Sequence, residues 1–204
     1  ELPFLTESLE IFRKTGSLEK LNSEFIDKIK LDYLDKIKRF KYDEEFITDK
    51  SPLNFRWIGL VKLMFPYSKI IHCKRDAMDI CFSNYKNSFA LGSLGFSYNL
   101  ENLGNYYKLY ENLMKYWNEK FTNEIYNLNY ENLVENPKDE IEKILKFCQL
   151  EWDDNCLQHQ NNKKIVATAS LAQVRSPVYK SSVKKWKNFK EKLSDLSSII
   201  DKKN

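Results

Sequence analysis

The sequence predicts an α/β domain, a parallel sheet flanked by helices. Three observations predict it. A short apolar run, Ile70 to Cys73, leads into a basic turn, Lys74-Arg75-Asp76, after which Met78, Cys81, Phe82 and Tyr85 recur at helical spacing: strand, turn, helix. Longer windows at 17–40, 54–64 and 100–121 carry apolar residues every three or four positions, as amphipathic helices do. Glycine is scarce, 5 in 204 residues, which disfavours a long-looped all-β fold.

Composition narrows the class. With 42% hydrophobic and 30% charged residues, the chain has the make-up of a soluble globular protein, and its length suits one domain with a real core. Its 33 basic and 29 acidic side chains leave +4, room for a local anion site but little argument for nucleic acid as a partner. Cys73, Cys81, Cys148 and Cys156 form no CxxC, and no His falls at a ligand spacing, so no metal is expected. Cys73, Cys81 and Cys148 read as core thiols of a reducing compartment, which suggests the cytoplasm. No apolar run is long enough for a membrane helix, and no signal peptide opens the chain. The first residue is Glu1, and the sequence reads as a piece of a longer one.

The elements follow in order. Residues 1–16 are short and mixed. The helix expected over 17–40 has Ser17 as its candidate cap. Phe46 and Ile47 look like a short strand, ended by Thr48-Asp49-Lys50-Ser51-Pro52, and a helix follows from Asn54 to Met64. Asp76 is a fair N-cap for the segment after the central strand, because its carboxylate can accept from first-turn amides. Ala90 to Asn99, with Gly92 and Gly95, reads as a loop near the acceptor side of a site. A long helix spans Leu100 to Phe121. Ile125 to Leu133 reads as a further strand running into a turn, and Asn136-Pro137 opens a helix with proline where its missing amide costs nothing. The stretch 160–190 is polar and cationic, with Val, Tyr and Trp anchors, as a surface loop and a last helix would be.

Ligands of open α/β sheets sit beyond the carboxyl ends of the strands. Arg75 stands at such an end. Ser83, about two turns beyond Asp76, returns to the same helix face. An Arg fork with a hydroxyl further along the helix can hold a phosphate from two sides. Spacing alone equally admits a surface Arg in an ion pair and a Ser facing water. Lys50 likewise fits a strand end or a solvated loop, and Tyr130 reads as a strand-end ring packed on the next helix.

Lys-Ile-Ile-His-Cys-Lys-Arg-Asp-Ala-Met-Asp-Ile-Cys-Phe-Ser, residues 69–83, resembles the 3′-phosphate segment of sulfotransferases that use 3′-phosphoadenosine-5′-phosphosulfate (PAPS). The likeness is to the bacterial type associated with tetratricopeptide repeats, related to tyrosylprotein sulfotransferases. It implies that Arg75 and Ser83 clamp the 3′-phosphate. Asp49-Lys50-Ser51-Pro52 is similar to the turn whose lysine approaches the oxygen between sulfur and phosphate, and implies that role for Lys50. The Tyr-Glu-x-Leu match at 130–133 implies that Tyr130 reaches the nucleotide. Thr-Ala-Ser-x-x-Gln-Val-Arg-x-Pro-x-Tyr, followed by Lys-Trp, resembles the segment that closes over it. There Ser170 would donate near the leaving phosphate and Lys185 would bind the phosphosulfate end, with Arg175 a looser candidate.

The resemblance covers the chain to about residue 190, with four motifs in order. It implies a P-loop NTPase-like sulfotransferase fold truncated at the N-terminus, lacking the first strand and the phosphosulfate loop, so that 1–204 form the C-terminal portion of one domain. Repeats can precede it in the parent chain. Glu1 matches the position that acts as general base in the tyrosylprotein branch. The expected reaction moves a sulfuryl group from PAPS to an acceptor hydroxyl of protein tyrosine, carbohydrate or a small alcohol. By itself this span should bind adenosine 3′,5′-bisphosphate weakly and transfer little or no sulfate. Two other readings are a P-loop-like kinase piece, which needs a Mg²⁺ carboxylate from Asp49 or Asp76, and a non-catalytic module for polyanions.

Overall fold

The computed structural model describes residues 4–15, 22–39, 45–89, 94–161 and 183–202. They form two compact units, Glu1–Ser68 and Lys69–Asn204.

The first unit is helical. It contains α1 (Phe4–Thr15), α2 (Ser23–Lys38), a 3-10 turn (Asn54–Trp57) and α3 (Ile58–Met64). Leu5 and Leu9, four apart on α1, meet Ile29 of α2 and Met64 of α3, with Phe25, Tyr33, Trp57 and Val61 packed around them. Burying each such side chain stabilises by about 1.5–3 kcal/mol. One polar cluster lies beside this core: Ser8 Oγ donates to Asp32 Oδ2 at 2.6 Å, and Lys36 Nζ donates to the same oxygen at 2.7 Å. Those two bonds hold the Asp32 carboxyl below its ordinary pKa. The cap of α2 is Asn22, whose side chain accepts from the Phe25 amide, rather than Ser17, which lies outside the described residues. Phe46 and Ile47 form no strand; they are 59% and 48% exposed and pair with no strand among the described residues. Their side chains suit a strand, but strand character needs a partner to make it real.

The second unit supplies the sheet. β1 (Ile70–Lys74) and β2 (Ile125–Asn129) run parallel, in register from Ile70 opposite Ile125 to Lys74 opposite Asn129. Parallel neighbours require a long crossover. Here it contains α4 (Ala77–Lys86) and α5 (Leu100–Lys120). After β2 come α6 (Tyr130–Glu135) and α7 (Pro137–Cys148), and α8 (Ser194–Asp201) follows the residues up to 193. The core joins Met78 and Cys81 of α4, Leu103 of α5, Leu193 and Leu196 of α8. Gly104 lets α5 approach α8: a Cβ there would stand 2.9 Å from Ile199 Cγ2. The protein is thus mostly helical with a small parallel sheet, an α/β arrangement. Of the three thiols expected in the core, Cys81 is buried, Cys148 is half-buried and Cys73 is exposed, because it falls on the open face of β1.

β1, β2 and α5 share a side-chain chain of hydrogen bonds. Tyr110 Oη meets His72 Nε2 at 2.5 Å, His72 Nδ1 meets Asn127 Oδ1 at 2.8 Å, and Asn127 Nδ2 donates to Asn118 Oδ1 at 2.7 Å. With Tyr110 donating and Nδ1–H donating, the imidazole is neutral, in keeping with the burial that lowers its pKa. The strand pair is therefore fixed from the side as well as through its ladder.

Candidate active site

The ladder register sets the corner. Its last pair is Lys74 with Asn129, so the next residue on each strand, Arg75 and Tyr130, leaves the same carboxyl edge. The Arg75 guanidinium carbon lies 4.9 Å from the Tyr130 ring centroid, a cation–π contact. Tyr130 is the first residue of α6, capped by Asn129, whose side chain accepts from the Asn132 amide; within the strand-and-turn stretch 125–133, the strand ends at Asn129 and the turn is the start of this helix. A cap wins there because Asn129 satisfies an orphan helix amide that a strand would leave to a ladder.

On the other strand Asp76 caps α4, accepting from the Asp79 amide at 2.8 Å. The Asp76 amide in turn donates to Glu131 Oε1 at 3.1 Å, tying the two strand ends together. Arg75 Nη2 stands 3.6 Å from Asp79 Oδ2. Asp79 is 1% exposed, and its carboxylate also accepts the Lys184 amide at 2.6 Å and the Trp186 amide at 3.4 Å. The backbone on either side of Lys185 is thereby brought to the carboxylate that holds Arg75. Ser83 is half-buried on α4, one turn beyond Asp79 on the same face, and its hydroxyl has no hydrogen-bond partner among the described residues.

Charge at this corner is uneven in how it is used. Asp76, Asp79 and Glu131 each accept from backbone amides. The side chains of Lys74, Lys184 and Lys185 are exposed. Such a corner favours a multiply charged anion, with one guanidinium oriented in advance and lysines free to adjust.

Lys50 belongs to the first unit. Asp49 fixes its turn, accepting from Tyr33 Oη at 2.9 Å and Asn54 Nδ2 at 3.2 Å, and the Lys50 side chain is exposed. Glu1, Ser170 and Arg175 lie outside the described residues. Asp79 is the residue that reading the sequence missed. Its signal was local and slight: an acid four positions after an arginine, in the first turn of a helix.

Among the described residues no group of three or more His, Cys, Asp or Glu side chains could hold a metal ion, and no helix is long and apolar enough to cross a membrane.

Residues 10–154 match the model of a family described as the sulfotransferase family. An uncharacterized protein of Aquifex aeolicus (strain VF5) is 40% identical over 164 residues, which cover 78% of this chain and 22% of that protein. The chain thus spans about a fifth of the length of that relative.

Proposed function

This chain belongs to the sulfotransferase family, and we propose that its Arg75 corner binds the 3′-phosphate of PAPS while a sulfuryl group passes from that donor to an acceptor hydroxyl. The observation that carries the reading is the placement of Arg75: directly after β1, against a buried carboxylate and over an aromatic ring, at the carboxyl edge of two parallel strands. A guanidinium restrained in this way loses little freedom when it meets a phosphate. Ser83 offers a second donor one turn beyond Asp79, and Tyr130 an aromatic face for the nucleotide.

The remaining roles follow the chemistry. Glu1 takes the proton of the acceptor hydroxyl as general base. The acceptor oxygen forms a bond to sulfur as the bond from sulfur to the 5′-phosphate oxygen breaks, and adenosine 3′,5′-bisphosphate leaves. Lys50, Ser170 and Lys185 neutralise charge growing on that phosphate, and Arg175 adds a cation nearby. The acceptor is a hydroxyl-bearing molecule, the free thiols fit a reducing compartment such as the cytoplasm, and the longer relative leaves room for repeats or a phosphosulfate loop elsewhere in the parent protein. The kinase reading is the weaker one, because both carboxylates it would use for Mg²⁺ already accept structural hydrogen bonds, Asp49 from Tyr33 and Asn54 and Asp76 from the Asp79 amide.

Calorimetric titration tests the proposal. Adenosine 3′,5′-bisphosphate should bind more tightly than AMP, and Arg75→Ala should remove roughly 1.5–3 kcal/mol of that binding, the worth of a charge-assisted contact. Equal affinity for the two nucleotides, or an indifferent Arg75→Ala, would sink it.

A further inference from the structure

We propose that Asp79 is a positioning residue that couples the Arg75 guanidinium to the Lys184–Trp186 segment, so that the phosphate grip and the cationic segment form as one unit. This rests on the reading of Arg75 as a 3′-phosphate ligand.

A buried carboxylate must be satisfied by donors. Asp79 is compensated from two places far apart in the chain. One is the guanidinium four residues earlier, an ion-pair partner at 3.6 Å, too long for a hydrogen bond. The others are two amides 105 and 107 residues away, at 2.6 and 3.4 Å. Lys184 takes a left-handed conformation, φ 59°, that aims alternate amides at a single anion. Trp186 packs its ring against the cluster containing Met78 and Cys81, which fixes the segment onto α4. Lys185 lies between the two anchored amides with its own side chain exposed, so its direction is set by a backbone that Asp79 holds. The carboxylate thus pairs with Arg75 and holds the backbone on both sides of Lys185 while facing no solvent itself. Loosening it must loosen both, and by linkage an anion bound at Arg75 must alter the protection of the 184 and 186 amides.

The test titrates the intact protein with adenosine 3′,5′-bisphosphate and with AMP, and follows amide hydrogen exchange across 183–189. Asp79→Ala removes charge and acceptors; Asp79→Asn keeps the shape and one acceptor oxygen. Asp79→Ala should weaken the bisphosphate about tenfold or more, barely affect AMP, and speed exchange at Lys184 and Trp186. Lys185→Ala should cost less in the Asp79→Ala background than alone, the sign of two residues acting together. Asp79→Asn should fall between, and it provides the same readouts should Asp79→Ala fail to fold. Retained preference for the bisphosphate in both variants, with additive losses on adding Lys185→Ala, overturns the coupling and leaves the reading of Arg75 standing. A wild-type protein that does not distinguish the bisphosphate from AMP takes both down.

Discussion

Two cationic turns were legible in this sequence, and the structure holds them differently. At the Asp49-Lys50 turn a neighbour does the holding: Tyr33 and Asn54 fix the Asp49 carboxylate, and the lysine projects as an exposed side chain. At the Arg75 corner the cation itself is restrained, by a buried acid on one side and a ring on the other. The first arrangement fixes a backbone and carries its cation on a long exposed side chain. The second sets the target's geometry beforehand. A lysine suits the first and an arginine the second, since the guanidinium has a planar fork to orient and the ammonium is a point charge.

The contrast is sharpest in stability. Asp79→Ala strips a largely buried guanidinium of its counterion and leaves two amides unsatisfied, and should cost about 3 kcal/mol. Asp49→Ala loses two side-chain hydrogen bonds at a part-buried site and should cost about 1–2 kcal/mol. Urea denaturation of both variants measures the difference; equal costs would erase the distinction between the turns. Binding is the next measure. Arg75→Lys keeps the charge but loses the fork and the stack, and should weaken adenosine 3′,5′-bisphosphate about tenfold. Lys50→Arg should change it by less than about threefold. The smallest effect is in pH. Burial and the adjacent Asp49 carboxylate raise the Tyr33 hydroxyl above its ordinary pKa of 10.0. A proton held more tightly in the folded state stabilises fully below the unfolded pKa and is lost as pH rises beyond it. Stability should therefore decline above about pH 10, and less steeply in Tyr33→Phe, as thermal melts across pH 9 to 11 would record.

What the sequence revealed was mostly local. The strand–turn–helix at 70–86 was readable because an apolar run, a capping acid and helical spacing are all contained within it. The long helix at 100–120 and the proline-started helix at 137–148 were readable for the same reason. Three readings went astray where a distant partner or a competing cap decided. Phe46 and Ile47 have strand-forming side chains and no strand beside them among the described residues. The helix read with Ser17 as its cap is capped instead by Asn22. Cys73 is apolar by type but lies on the open face of β1. Of the candidate site, Arg75 could be named from a strand end and Tyr130 from the family resemblance, but their contact depends on register between strands 55 positions apart, which no local pattern encodes. Asp79 was hidden more deeply still, since its partners at 184 and 186 are more than a hundred residues downstream.

Gly104 bears on that same downstream stretch. Leu196 and Ile199 crowd the space where its side chain would begin, so α8 lies against α5 with no slack. The chain from 186 to 196 is consequently moored at both ends, by amide bonds to an acid upstream and by contact with a bare backbone downstream. A tether of that kind has one permitted length. Inserting or removing a residue between Lys187 and Leu193 should therefore disturb the Arg75 corner, since it would shift the Trp186 amide that Asp79 holds.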